Sequence, residues 1–133
     1  MVIDSIIALR QESGIDFGET YADLLHCYKD YERYGYLKYI WEDGELKGFV
    51  DWLRLQRLPD RRHFTWKDMP MIGRGEYIYV STICVKEKKY FWRLLRMVRA
   101  IEDKRGGYKW IVWHGIDGAM KVYRNMKGVF ENV

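Results

Sequence analysis

The stretch that decides the fold runs from Glu76 to Trp113. It reads EYIYVSTICV (76–85), KEKK (86–89), YFWRLLRMVRAIEDK (90–104), RGG (105–107) and YKWIVW (108–113). The first ten residues are β-favouring and apolar nearly throughout, the pattern of a strand buried on both faces. The lysine-rich segment after them is a charged turn. From Tyr90 to Lys104 the apolar residues Phe91, Leu94, Leu95, Val98 and Ile101 recur at helical spacing, and Gly106-Gly107 stops the run. Trp110 to Trp113 is a second buried strand. Strand, helix and strand in this order form a βαβ crossover, which is right-handed with parallel strands.

Outward from this unit the periodicity changes twice. Upstream, Tyr36 to Trp41 and Leu46 to Leu53 flank Asp43-Gly44, a strong short signal for a hairpin, so residues 36–54 are expected to form an antiparallel pair. Before them, Tyr21, Leu24, Leu25, Tyr28 and Tyr31 mark an amphipathic helix over 19–33, closed by Gly35. Val2, Ile3, Ile6, Ile7 and Leu9 mark another over 2–12. Downstream, residues 117–127 predict a short last helix, followed by Gly128. Residues 55–75 hold Pro59, Pro70, Gly73 and Gly75 and predict a long loop. The expected fold class is α/β, with a mixed α+β sheet. It has two N-terminal helices, an antiparallel hairpin, a central βαβ crossover and a short C-terminal helix, all in a single domain over 1–133.

Composition narrows the function classes. Hydrophobic residues are 48% and charged residues 32% of the 133, which excludes a disordered chain. The net charge of +4 suits an anionic partner but is too small to indicate nucleic acid by itself. Two cysteines (Cys27 and Cys84) and three histidines, with no CxxC pair, argue against a zinc site, and no metal is expected. The apolar run at the start is too short and too acidic for a signal peptide. No window reaches the ~18 apolar residues of a membrane helix, so a cytosolic protein without membrane contact is the expectation. Ser-His-Asp spacing, a GxSxG elbow, Walker A and GxGxxG are all missing from the chain.

The order of elements resembles the GNAT (GCN5-related N-acetyltransferase) superfamily over about residues 2 to 130. Ala119, Val122-Tyr123 and Gly128-Val129-Phe130 resemble that family's ending. The small, divergent chain also resembles GNAT-like proteins encoded by bacteriophages. The resemblance implies an acyl-CoA-dependent N-acyltransferase with acetyl-CoA as donor and an amine as acceptor. It implies that Tyr123 protonates the leaving thiolate and that the edge of Ile83, Cys84 and Val85 pairs with pantetheine. Lys88, Lys89, Tyr90 and Arg93 are the candidate contacts for the cofactor phosphates. The family's turn is glycine-rich here, whereas Val85 to Arg93 contains no Gly, so charge would replace the backbone cradle. A proton acceptor for the amine is sought among Glu76, Asp51 and His114. Only a few residues follow Gly128, so the family's last hairpin is expected to be missing or truncated.

A second reading stands beside the first. A GNAT-like protein that no longer catalyses would serve as a binding or structural module. Its nucleic-acid or protein partner would meet the basic cluster Arg54, Arg57, Arg61 and Arg62, which is interleaved with Leu53, Leu55, Leu58, Phe64 and Trp66. A homodimer is compatible with either reading.

Overall fold

The computed structural model describes residues 2–15, 18–56, 75–114 and 120–124. Its elements are α1 (Val2–Glu12), α2 (Tyr21–Tyr34), β1 (Leu37–Glu42), β2 (Glu45–Leu55), β3 (Tyr77–Val85), α3 (Lys88–Arg105), β4 (Trp110–His114) and β5 (Met120–Arg124). The strands form one mixed sheet in the order β1-β2-β3-β4-β5. Of the expected basic cluster, Arg57, Arg61 and Arg62 lie outside the described residues, whereas Arg54 is corrected: it is buried and so is not a surface contact for a partner.

Contacts divide the chain into two compact units, Met1–Asp51 with Thr82–Val98, and Trp52–Ser81 with Arg99–Val133. In the first unit, α1 forms because Ile3, Ile6, Ile7 and Leu9 make a buried stripe. α2 opens with a capping box: the Thr20 hydroxyl accepts from the Asp23 N–H at 3.1 Å and the Asp23 carboxylate accepts from the Thr20 N–H at 3.2 Å. Its end is closed by Gly35 N–H to Glu32 O and Tyr36 N–H to Tyr31 O. Asp43 and Gly44 both take positive φ, 55° and 75°, the geometry of a tight hairpin turn. Adjacent residues of β2 then point to opposite faces. Phe49 meets Tyr28 of α2 edge-on, at 5.7 Å between ring centroids. A Cβ on Gly48 would meet Leu94 of α3 at 3.2 Å. In this unit α2 and α3 thus cover opposite faces of β2.

The β1–β2 ladder contains one bulge. Trp41 pairs with Leu46 and Ile40 with Gly48, so Lys47 is the extra residue and belongs to β2.

In the second unit, β3 and β4 run parallel, pairing Tyr77–Tyr79 with Trp110–Val112. The crossover expected from the sequence is therefore present. β4 and β5 run antiparallel, from Trp110↔Arg124 to His114↔Met120. The expected helix over 117–127 is corrected here: residues 120–124 are a strand. Met120, Val122 and Arg124 alternate with Lys121 and Tyr123, and pairing along β4 outweighs the helix propensity of Ala, Met and Lys.

A buried ion pair organises the end of α3. Arg54 and Glu102 are 3% and 0% exposed and stand 3.6 Å apart. Glu102 also accepts from Trp52 Nε1 at 3.3 Å and from Arg105 at 3.3 Å. Arg54 donates to the carbonyls of Gly75 and Gly106, at 2.8 and 2.9 Å. The apolar stripe of α3 thus continues from Val98 to Glu102, while Ile101, expected on it, is only half-buried. Arg54→Ala removes one partner and leaves a buried carboxylate, which costs about 3–5 kcal/mol. Urea unfolding should show a correspondingly lower midpoint than wild type, with Arg54→Lys falling between the two.

Candidate functional site

The turn between β3 and α3 is fastened by the bulge in β2. Lys86 N–H donates to Lys47 O at 2.9 Å, and Tyr90 N–H donates to Glu87 O at 3.1 Å as the helix begins. Beside this turn lies a cleft of about 420 Å³, lined by Val85, Lys86, Glu87, Lys88, Phe91 and Trp92. Phe91 and Trp92 pack edge to face, with centroids 4.9 Å apart, and supply an apolar wall together with Val85. Lys86 and Lys88 supply cationic groups. The first turn of α3 contains no acidic residue and begins Lys88-Lys89. A helix start is the positive end of the macrodipole, so two lysines there are mildly unfavourable and an anion placed beside them relieves both charges.

Several basic groups near the turn, Lys86 among them, also have protein partners. Lys86 lies 3.6 Å from Glu45 and Lys89 lies 3.4 Å from Glu87. Tyr90 is buried and donates to Glu42 at 3.3 Å, and Arg93 donates to the same carboxylate at 2.6 Å. The Arg93 hydrogen bond holds the Glu42 carboxyl below its ordinary range.

A second polar group is buried in the same unit. Arg10 of α1 donates to Tyr28 Oη at 3.0 Å and to Thr82 Oγ1 of β3 at 3.2 Å. It also pairs with Glu19 at 3.2 Å. Burial opposes its charge, yet Tyr28, Asp51 and Glu19 together hold the guanidinium above its usual value. Asp51 is 1% exposed. Burial, then the Asp51 charge, pushes the Tyr28 hydroxyl well up.

No protein-family model matches the chain, and no curated protein matches it. Among solved structures it is similar to N-acetylglutamate synthase from Neisseria gonorrhoeae, which was determined in complex with coenzyme A and N-acetylglutamate. The two chains share 13% identity with a TM-score of 0.52, over 98% of this chain and 24% of that one. The fold is GNAT-like. This chain spans about a quarter of the length of the enzyme it matches.

In this GNAT-like frame the expected site residues separate into four groups. Val85 and Lys88 line the cleft, and Ile83 and Cys84 precede them on β3. Lys89, Tyr90 and Arg93 belong to the same turn and helix but engage Glu87 and Glu42. Asp51 stands in the Arg10 network. In the other unit, the Glu76 carboxylate pairs with Lys109 at 3.2 Å. His114 ends β4 opposite Met120, and Tyr123 stands in β5 opposite Ile111. The sequence reading placed Tyr123 on a helix, and the structure corrects that to a strand.

Phe91 and Trp92 of the cleft wall and Arg10 of the buried network were not foreseen as site residues. Arg10 had a readable signal, because it continues the stripe of Ile3, Ile6 and Ile7 at helical spacing. Trp92 had none, since one aromatic beside a helix start fits a core position equally well.

Cys84, inside the cofactor edge expected by resemblance, is not a nucleophile. Burial pushes its thiol up to about 11, and burial followed by the Asp51 charge pushes Cys27 up to about 12. Both therefore stay protonated at neutral pH. Their folded values lie above the ordinary 9.0, so the stability they contribute is intact below pH 9 and is lost between pH 9 and about 12. At pH 8 iodoacetamide should label neither thiol in the folded protein and both after unfolding. Rapid labelling of folded Cys84 would contradict this.

Proposed function

We propose that the chain is an acyl-CoA-dependent N-acyltransferase that takes acetyl-CoA as donor and an amine as acceptor. The observation that carries the reading is the cleft at the β3–α3 turn of a GNAT-like fold, with its apolar wall, lysine rim and helix start. The solved structure similar to this chain holds coenzyme A and N-acetylglutamate, which supports a donor and an acceptor of these classes.

The residues present fit such a donor through side-chain charge. A Gly-free turn keeps ligands further from the backbone, and Lys86 and Lys88 compensate with charge at the rim. The free N–H groups at the start of α3 would add to this hold on an anion. The main-chain edge of Ile83–Val85 would hold the amide-bearing arm by hydrogen bonds, and Phe91 and Trp92 would exclude water from it. The donor supplies an activated thioester when bound. The chain must then accept a proton from the ammonium of the acceptor and return one to the leaving thiolate. Glu76 and His114 are the candidates for acceptance, and Tyr123 is the candidate donor. Asp51 suits acceptance less, because it balances Arg10 away from solvent.

One observation favours a second reading. Tyr123 belongs to a strand, where the resemblance implied a helix, and this suits a binding or structural module that no longer catalyses. Such a module would meet its partner, nucleic acid or protein, through Arg57, Arg61 and Arg62.

Thermal unfolding separates the readings. At about 100 times its dissociation constant a ligand stabilises a fold by about 2.7 kcal/mol, a shift of several degrees for a domain of this size. Acetyl-CoA should raise the melting temperature of wild type and leave Lys88→Glu with Lys89→Glu unmoved. Tyr123→Phe should keep that shift but lose most turnover if the chain is an enzyme. A shift without turnover in wild type favours the second reading, and no shift with acetyl-CoA or free CoA sinks the first and leaves the second.

A further inference from the structure

Among the described strands β1 lies outermost on its side of the sheet, and its charges, Lys38 and Glu42, are of opposite sign, so they do not repel a second copy laid antiparallel. Natural edge strands are blunted by being very short, by charge, by proline or by a bulge in the edge strand itself. Here the bulge residue, Lys47, sits in β2, so β1 keeps a regular course over Leu37–Glu42. Tyr39 and Trp41 are 36% and 46% exposed and account for two of the four large exposed hydrophobics among the described residues. They share one face of β1, since side chains two apart in a strand lie together. Lys38, Ile40 and Glu42 share the other, where Glu42 meets Tyr90 and Arg93 of α3.

The order of these residues is self-complementary. Consider a second copy of β1 laid antiparallel along this edge, with a two-fold axis at Ile40. Lys38 then stands opposite the Glu42 position of the other copy, twice. Tyr39 stands opposite the Trp41 position, twice. Ile40 meets itself. Both charge pairs are of opposite sign and both aromatic pairs are directly cross-strand, the two arrangements that stabilise antiparallel neighbours. An isologous pairing of this kind closes on itself and leaves neither copy's β1 edge open.

We infer that β1 is a homodimer interface, formed by antiparallel edge-to-edge pairing about Ile40, with a second copy of this chain as the partner. The charge pattern selects that occupant over an unrelated strand, because Lys38 and Glu42 flank the axis symmetrically. The contact is one short strand from each copy, so the dimer belongs to the class of small interfaces and moderate affinity.

Sedimentation velocity of the full chain, at concentrations up to about 100 μM, tests this. Wild type should be a dimer at the upper end. Lys38→Glu opposes Glu to Glu and should weaken association at least tenfold, as should Trp41→Lys. Glu42→Lys opposes Lys to Lys and should also be monomeric, while an equimolar mixture of Lys38→Glu and Glu42→Lys should recover the dimer. Glu42 also holds Arg93, so circular dichroism melting must show each variant folded. If Glu42→Lys fails that check, Lys38→Glu and Trp41→Lys decide alone. A monomeric wild type overturns the inference. So does a dimer that survives Lys38→Glu and Trp41→Lys, or folded single variants whose mixture stays monomeric.

Discussion

The place where β2, β3 and α3 meet in the N-terminal unit is set by a missing side chain. A Cβ on Gly48 would stand 2.9 Å from the carbonyl oxygen of Cys84 and from Val85 Cγ1, and 3.2 Å from Leu94. Real Cβ atoms do not approach a backbone carbonyl so closely, so only glycine lets the strands and the helix close to this distance. The preceding residue, Lys47, is the bulge, and its carbonyl accepts the Lys86 N–H. One irregular dipeptide in β2 thus seats both the end of β3 and the turn that opens the cleft. The tight packing lies beneath the candidate site, where a change in one methyl group would move the site's backbone.

Two buried charges fix the rest, one in each unit. Arg10 joins α1 to Tyr28 of α2 and Thr82 of β3. Glu102 joins α3 to Trp52 and Arg54 of β2. Each is surrounded by donors or opposite charges, the condition under which a buried charge is tolerated. Such networks specify one arrangement of helix against strand, since a slipped register strands the charge without its partners. They also explain why Asp51, a chemically attractive carboxylate, reads better as a counter-charge than as a proton acceptor.

The fold was largely legible because its signals are local and strong. The stripe of α1, the Asp43-Gly44 turn and the apolar run of β3 each sit within one element, and the structure places them as the residues implied. The β5 strand was not legible. Its five residues contain good helix formers, and what makes them a strand is the pairing of Met120–Arg124 with Trp110–His114, a tertiary contact. The site was legible only in part. Lysines at a helix start announce themselves by type, so Lys88 was readable. Tyr90 and Arg93 carry the same signal, yet both are held by Glu42, nearly fifty residues away in sequence. Both buried charges occupy apolar stripes, Arg10 after Ile7 and Glu102 after Val98. A charged residue in such a stripe is the signature by which either network can be found.

The proposed function makes one physical claim: an acyl-CoA would be held by side-chain charge and aromatic walls along β3 and the start of α3. Amide hydrogen exchange with and without acetyl-CoA tests it most directly, because it locates the ligand on the backbone. The account predicts slowed exchange over residues 83–92, where the strand edge and helix start would be covered. Acetyl-CoA that binds yet leaves residues 83–92 unchanged, with protection appearing elsewhere, would contradict it.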